Sequence, residues 1–199
     1  MSKPDADSSK RQQRAAARWA LTIFLVTIVV SATISFASGE VMARSSMAVA
    51  FLILLIIVAV GILFDIVGVA VTSADEKPFH SMASRRVPGA KEAIRLLRNA
   101  GRVSSICNDV IGDICGVVSG AASATIAARA LTYIDFSWPQ LVSLGMSALV
   151  AGLTVGGKAI GKTVAMNSCT DIVFLVGRIL ATVDRWKEWP RKKITKKKG

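Results

Sequence analysis

Asn108, Asp109 and Asp113 form a polar cluster in residues 104–131, a stretch that otherwise consists of small and apolar residues without proline. An ionisable group inside a bilayer costs at least about 2.5–3.5 kcal/mol, so it faces a protein interior, a water cavity or an ion. Helical spacing places Asp109 and Asp113 one turn apart on one face, where two charged carboxylates repel each other. A bound cation or a proton relieves that repulsion. The cluster is therefore the first candidate site.

The elements that must position this cluster are apolar helices. Hydrophobic residues make up 52% of the 199-residue chain, the mean hydropathy is +0.52, and yet the net charge is +12. Apolar and basic residues occupy different segments, and four segments are long and apolar enough to span a bilayer, namely 19–36, 47–73, 104–131 and 141–160. The first is longer than the apolar part of an ordinary signal peptide, so cleavage is the lesser alternative. We expect an all-α integral membrane protein with about four transmembrane helices.

Basic residues predict the orientation of these helices. The chain has 25 lysines and arginines, and all of them except Arg44 and Arg129 lie in three regions. These regions are the segment before the first span, the segment between the second and third spans, and the segment at or after the end of the fourth span, where Lys158 falls. The positive-inside rule then places both termini in the cytoplasm of a multi-pass cell-membrane protein. Segments 1–18 and 190–199 are its basic N-terminus and polybasic C-terminal tail. We expect the tail to attract anionic lipid headgroups rather than nucleic acid.

The segments between and after the spans predict short amphipathic helices at the cytoplasmic surface. In 74–102, Pro78 begins one helix, Val87-Pro88-Gly89 ends it, and 90–99 forms a second whose apolar side carries Ala93, Ile94 and Leu97. Residues 170–189 predict a further interfacial helix, in which Arg178 disfavours a fifth span and Trp186 and Trp189 suit a membrane interface. These segments either merely link the spans or form a structured collar.

Glycines in the last two spans recur at a spacing that permits close helix packing. The spacing links Gly112, Gly116 and Gly120, then Gly152 and Gly156, and also Gly157 and Gly161. Small residues four apart allow helix backbones to approach each other. The pattern predicts either ordinary packing within the chain or a seam between two copies.

A resemblance covers residues 64–128 closely, and 47–189 by expected topology. The first motif is Ala70-Val71-Thr72-Ser73 at the end of a span. The segment after it carries, in this order, Met82-Ala83, Gly89-Ala90-Lys91, residues 93–99 and Arg102. The last motif is residues 107–113 at the start of the next span. This order resembles the transmembrane domain of the CNNM/CorB/CorC family of magnesium transporters. The resemblance implies a homodimer that binds Mg²⁺ between its membrane helices, with Na⁺ coupling and Co²⁺ as a related cargo. The family's nucleotide-binding CBS module has no counterpart in these motifs, so we expect no such regulation.

The resemblance transfers only part of the family's metal site. Asn108 matches the first family asparagine, whereas the second is replaced by Gly112 or, with one insertion, by Asp113. The family's serine ligands fall at Asp65 and Val67, so Asp65 replaces a neutral ligand by a charged one. An oxygen-rich site of this kind suits Mg²⁺. The candidate ligands are Asp65, Asn108, Asp109 and Asp113, with Ser73 and Ser119 as weaker candidates.

Three functions remain open at this point. Divalent-cation transport or homeostasis ranks first, because acidic groups outnumber basic ones within the predicted spans and Asp65, Asp109 and Asp113 have no Arg or Lys partner nearby in sequence. A non-transporting membrane scaffold or regulatory partner on the same fold ranks second. A membrane enzyme ranks last, because no acyltransferase, protease or phosphotransferase motif is present and the three cysteines show no metal or redox spacing. We therefore expect no enzymatic activity and no organic cofactor.

Overall fold

The computed structural model describes the backbone of residues 6–132 and 138–195. It describes the side chains of residues 17–42, 44–132 and 138–184. The described part of the chain contains helices and no strand. The helices are α1 Ala6–Arg44, α2 Met47–Ser73, α3 Lys77–Ser84, α4 Ala90–Arg98, α5 Ala100–Ser104, a π-helical segment Ser105–Gly112, α6 Asp113–Leu131, α7 Pro139–Asn167 and α8 Cys169–Thr195. The predicted helical class is confirmed.

Four stretches are long and apolar enough to cross a membrane: Ala17–Met42, Met47–Ser73, Ala100–Leu131 and Pro139–Asn167. Their number and order confirm the sequence prediction, but the last one extends beyond the predicted 141–160. Lys158 therefore lies more than two helical turns before the end of α7, inside the helix rather than at its edge. This difference matters for the charges of the site.

Helix α2 is the centre of the bundle and packs against α6, α7, the π-helical segment, α5 and α8. Its sequence is apolar on nearly all sides, and large side chains such as Leu52, Leu55 and Leu63 are exposed outside the bundle, a pattern that fits a membrane span. Two clusters of buried side chains lie along it. One joins α1, α2, α6 and α7 around Leu54, Val58 and Ile126, and the other joins α2, α3, α4, α7 and α8 around Val71, Phe79 and Val173.

Helix α1 joins this bundle mainly at its C-terminal end. No residue in the most apolar stretch of α1 is buried, whereas 44% of the residues are buried in the most apolar stretch of Ala100–Leu131. Arg129 in α6 donates hydrogen bonds to the carbonyl oxygens of Met42 and, at 2.9 Å, of Ser45, in the turn that links α1 to α2. The guanidinium thereby adds a hydrogen-bond donor at the C-terminal end of α1, and it fixes this end to α6.

The short helices follow the predicted boundaries closely. Helix α3 has a proline in its first turn, and Gly89 precedes α4 with a φ of +94°, a left-handed conformation that favours glycine. In α4, Ala93 and Leu97 are buried whereas Arg95 is exposed, as the amphipathic pattern predicted. Their placement at a membrane surface stays a prediction.

Helix α8 begins close to the predicted start at residue 170, and the structure shows which of its residues are buried. Val173, Gly177 and Ala181 are buried, and a Cβ atom at Gly177 would lie 2.5 Å from the carbonyl oxygen of Gly89. Other apolar residues of α8, namely Leu175, Ile179, Leu180 and Val183, are exposed. The contact with the start of α4 uses small residues because the two backbones approach each other closely there. The interfacial placement of α8 stays a prediction. Trp186 and Trp189 lie outside the described side chains.

Candidate functional site

One face of α2 carries Gly61, Asp65 and Gly68, which the spacing of four and three residues places in one line. A Cβ atom at Gly61 would lie 2.8 Å from Cβ of Cys115, and a Cβ atom at Gly68 would overlap the side-chain amide of Asn108. The absence of side chains at the two glycines brings the π-helical segment and α6 against α2. Asp65 lies between these two points of contact.

Asn108 packs its amide directly on the backbone of Gly68. Its Nδ2 donates a hydrogen bond to Oγ of Ser104 at 3.3 Å, whereas its Oδ1 is buried and accepts no hydrogen bond from any described residue. A buried carbonyl oxygen without a donor costs about 1–3 kcal/mol. Because buried polar atoms without a hydrogen-bond partner are uncommon in folded proteins, this oxygen is a candidate ligand for a cation or a partner for a water molecule.

Asp65 has a counter-ion on α7 that the sequence analysis did not expect. Nζ of Lys158 lies 3.8 Å from Oδ1 of Asp65, and the side chains retain 26% and 16% of their accessible surface. The same nitrogen would lie 3.4 Å from a Cβ atom at Gly112, so it occupies the seam between α2, α7 and the π-helical segment. The expectation of an acidic excess without a nearby basic partner is therefore corrected for Asp65. We call Asp65, Asn108 and Lys158 the polar junction.

Asp109 faces a different neighbour, although it follows Asn108 directly. Its Oδ2 accepts a hydrogen bond of 2.7 Å from Oγ of Ser105, and its exposed side chain lines a groove between the π-helical segment and α1. Near this groove, the guanidinium of Arg102 lies 5.8 Å from the ring centre of Trp19. The structure thus separates the contacts of Asp109 from those of Asp65.

The remaining candidate ligands have surroundings of their own. Asp113 is exposed at the first residue of α6, and Ser73 is exposed at the last residue of α2. Ser119 is buried, but its hydroxyl donates to the carbonyl oxygen of Gly116 at 2.9 Å in its own helix. Among the described residues, no three His, Cys, Asp or Glu side chains form a group that could hold a metal ion. The joint site of four ligands stays a prediction.

The backbone around this cluster is not the α-helix that the sequence analysis assumed. Ser105–Gly112 is π-helical, with hydrogen bonds from residue i to i+5, and only Asp113 begins the α-helical part. The α-helical spacing expected for Asp109 and Asp113 therefore does not apply, because the wider turns change the direction of each side chain. Such segments are rare and occur frequently at functional sites.

The glycines predicted for helix packing divide into two groups. Gly112 meets the polar junction, and a Cβ atom at Gly157 or Gly161 would collide with Ile62 or Ile66 on α2. By contrast, a Cβ atom at four others would meet nothing within 4 Å, namely Gly116, Gly120, Gly152 and Gly156. Within the chain, α7 thus uses one glycine pair against α2, and a packing role for the four open positions stays a prediction.

The sequence did not reveal two features of this site, namely the ion pair of Lys158 with Asp65 and the contact of Asn108 with Gly68. The signal for Lys158 was present, since the apolar pattern continues beyond it to Ala165 and Met166. Extending the fourth span to these residues would have placed a lysine inside it. Gly68 offered no comparable signal, because its partner Asn108 is forty positions away and belongs to another helix.

Comparisons with protein-family models, with curated proteins and with solved structures find no match for this chain.

Proposed function

We propose that this protein is a multi-pass membrane protein that binds and moves a small cation through the polar junction, with Mg²⁺ as the first ion to test. The observation that carries the proposal is the buried, unpartnered Oδ1 of Asn108 on the interface that also holds the Asp65–Lys158 ion pair. Charged groups within apolar helices are costly and mark ion pathways. A carboxylate and an amide oxygen are hard ligands, as Mg²⁺ requires.

In this mechanism the ammonium group of Lys158 holds the place of the cation when the junction is empty. A separation of 3.8 Å from Asp65 neutralises the carboxylate without a tight hydrogen bond, so an entering cation competes with the ammonium group directly. Asn108 would add a neutral oxygen, and Mg²⁺ would keep several of its own waters. Because the displaced ammonium and the cation repel each other, Lys158 would leave as the ion enters and return as it departs.

The orientation within the membrane is part of the proposal. We place both termini, α3, α4 and the second half of α8 on the cytoplasmic side, since almost all basic residues then lie there. The basic tail and these short helices would contact anionic lipid headgroups. Labelling of single cysteines at Ser2 and Ser81 in intact cells tests this arrangement, because a membrane-impermeant maleimide should reach neither position until the cells are opened. Labelling of either cysteine in intact cells would contradict it.

A homodimer is a further part of the proposal. The open positions Gly116, Gly120, Gly152 and Gly156 would allow a second copy to approach α6 and α7 closely. A Gly156→Leu substitution should then shift the mass of the complex, measured by light scattering in neutral detergent, from two copies to one. Gly145→Leu, at another open position of α7 outside this set, is the matched control. A wild-type protein that is monomeric in lipid nanodiscs would overturn the dimer.

Flux measurements in proteoliposomes test the transport proposal. Wild-type protein should carry Mg²⁺, detected by an enclosed fluorescent indicator, and Asp65→Asn should reduce the rate at least about tenfold because the carboxylate ligand is lost. Asn108→Ala should reduce it as well, since alanine removes the free oxygen without adding volume at the close contact with Gly68. Asp171→Asn, an exposed carboxylate in the first turn of α8 that is not a candidate ligand, is the control and should leave the rate unchanged. Equal rates in wild type and Asp65→Asn would rule out the polar junction as the pathway.

A second candidate function is a membrane scaffold or regulatory partner that transports nothing. The observation that favours it is the ion pair itself, since Lys158 already neutralises Asp65 and the described residues contain no metal-holding cluster. In that case the pair is structural, and wild-type proteoliposomes should show no flux although the protein is folded. If wild-type proteoliposomes show no flux of Mg²⁺ or Co²⁺ while circular dichroism shows that the reconstituted protein is helical, the scaffold is favoured over the transporter.

A further inference from the structure

The groove between α1 and the π-helical segment has a volume of about 850 Å³ and does not share the contacts of the polar junction. Its α1 wall runs from Trp19 to Ala32 and is mostly apolar, with Ile23 and Thr27 facing inward. Its other wall contributes Ser105 and Asp109. The length of α1 along the groove is about 20 Å at 1.5 Å per residue, which exceeds the length of a short alkyl chain.

Charge is distributed unevenly in this groove. Asp109 is the only charged side chain among the described residues that line it, and the carboxylate is held in place by the hydrogen bond from Ser105. Arg102, in α5 just before the π-helical segment, has its guanidinium 5.8 Å from the ring centre of Trp19. An apolar groove with one carboxylate on its wall is complementary to a molecule with an apolar body and one positive charge.

We propose that this groove is a binding site for an amphiphilic ammonium compound, whose charged nitrogen pairs with Asp109 and whose apolar body lies along α1. A lipid acyl chain or an apolar partner helix would fill the same walls, but neither gives the carboxylate a counter-charge. Pairing of the Asp109 carboxylate with an ammonium group at the edge of an apolar groove is favourable, because the groove excludes part of the water around the pair. The site is independent of the cation pathway proposed above, and it does not require transport.

Binding of octylammonium tests this inference. The full chain is placed in micelles of dodecyl maltoside, which carries neither a charge nor an ammonium group, and the heat of binding at pH 7 is compared with that of empty micelles. Octylammonium should bind saturably, and Asp109→Asn should weaken binding about tenfold because the ion pair is lost while the amide can still accept from Ser105. Asp113→Asn is the matched control, since Asp113 is exposed on the same segment and does not line the groove. It should change the affinity less than about twofold.

Two further measurements keep the inference open to refutation. Thr27→Trp should block the groove from the α1 side and thereby weaken octylammonium binding. This variant tests the site independently of Asp109→Asn, in case the latter lowers the melting temperature. Octanol, which has the same chain without the charge, should bind at least about tenfold more weakly than octylammonium. The proposed site would be overturned if Asp109→Asn kept full affinity for octylammonium, or if Asp113→Asn lost as much affinity as Asp109→Asn. It would also be overturned if Thr27→Trp left the affinity unchanged, or if octanol bound as tightly as octylammonium.

Discussion

The two sides of the π-helical segment Ser105–Gly112 differ sharply in their surroundings. On the inner side, Asn108 and Gly112 press against α2 and the amino group of Lys158. On the outer side, Ser105 and Asp109 face a groove next to a helix whose most apolar stretch is not buried at all. Two adjacent polar residues thus meet opposite environments, one close-packed and one open. The comparison teaches that the chemistry of this cluster depends on helix contacts more than on residue type.

Removal of the lysine should have the largest effect. Lys158→Met leaves Asp65 charged in the interior and should lower the free energy of unfolding by about 3 kcal/mol, the lower end of the range for a broken buried pair because both side chains retain some solvent contact. Denaturant unfolding in mixed micelles measures this loss. The double variant Asp65→Asn/Lys158→Met should recover most of it, since no lone charge remains. A double variant as unstable as Lys158→Met would argue against the ion pair.

A methyl group on the inner contact should have the next largest effect. Gly68→Ala places a Cβ atom within the Asn108 amide and should destabilise the protein by about 1–3 kcal/mol through overpacking. The control is Gly39→Ala in α1, where a Cβ atom meets nothing within 4 Å. That variant should be stabilised by about 0.5–1 kcal/mol, because alanine loses less entropy in a helix. Thermal unfolding followed by circular dichroism compares the two, and equal melting temperatures would contradict the close contact.

The contact of α7 with α2 should be more tolerant. Gly157→Ala meets the end of the Ile62 side chain, which can rotate away, so we expect a loss of only about 0.5–1 kcal/mol. Gly145→Ala, on the same helix in open space, should cause no loss. Both values come from the same unfolding assay. A cost for Gly157→Ala above that of Gly68→Ala would reverse the proposed order of rigidity along α2.

The outer side should be the least sensitive of all. Asp109→Asn keeps an acceptor for the Ser105 hydroxyl at an exposed position and should change the free energy of unfolding by no more than about 0.5 kcal/mol. A loss comparable to that of Lys158→Met would show that Asp109 belongs to the interior after all. The comparison between the two sides would then fail.

Much of the fold could be predicted from local signals. Val87-Pro88-Gly89 marked the end of one helix and the start of the next, and the structure gives Gly89 the positive φ that such a turn requires. The spacing of Ala93 and Leu97 predicted the buried face of α4 correctly. These features depend on neighbours within one or two turns, which the sequence displays directly.

The candidate site was predicted only in part, for a physical reason. Asp65 and Asn108 were recognised because polar groups in apolar helices stand out, and both lie on the interface of α2 with the π-helical segment. The partner of Asp65 was not recognised, because Lys158 lies 93 positions further along the chain and belongs to another helix. The buried residues of α8 were not predicted either, because a close backbone approach between distant segments favours the small residues Gly177 and Ala181 over larger apolar ones.

The sequence by itself determined the number of long apolar helices, their breaks and the positions of the costly polar groups, because hydropathy and turn chemistry act over short distances. Only the tertiary structure decided which polar groups meet. It paired Asp65 with Lys158, set Asn108 on Gly68 and turned Asp109 towards α1. The reason is that the docking of helices, through glycine contacts and a π-helical segment, fixes the direction of each side chain. Residue spacing along one helix cannot specify that direction.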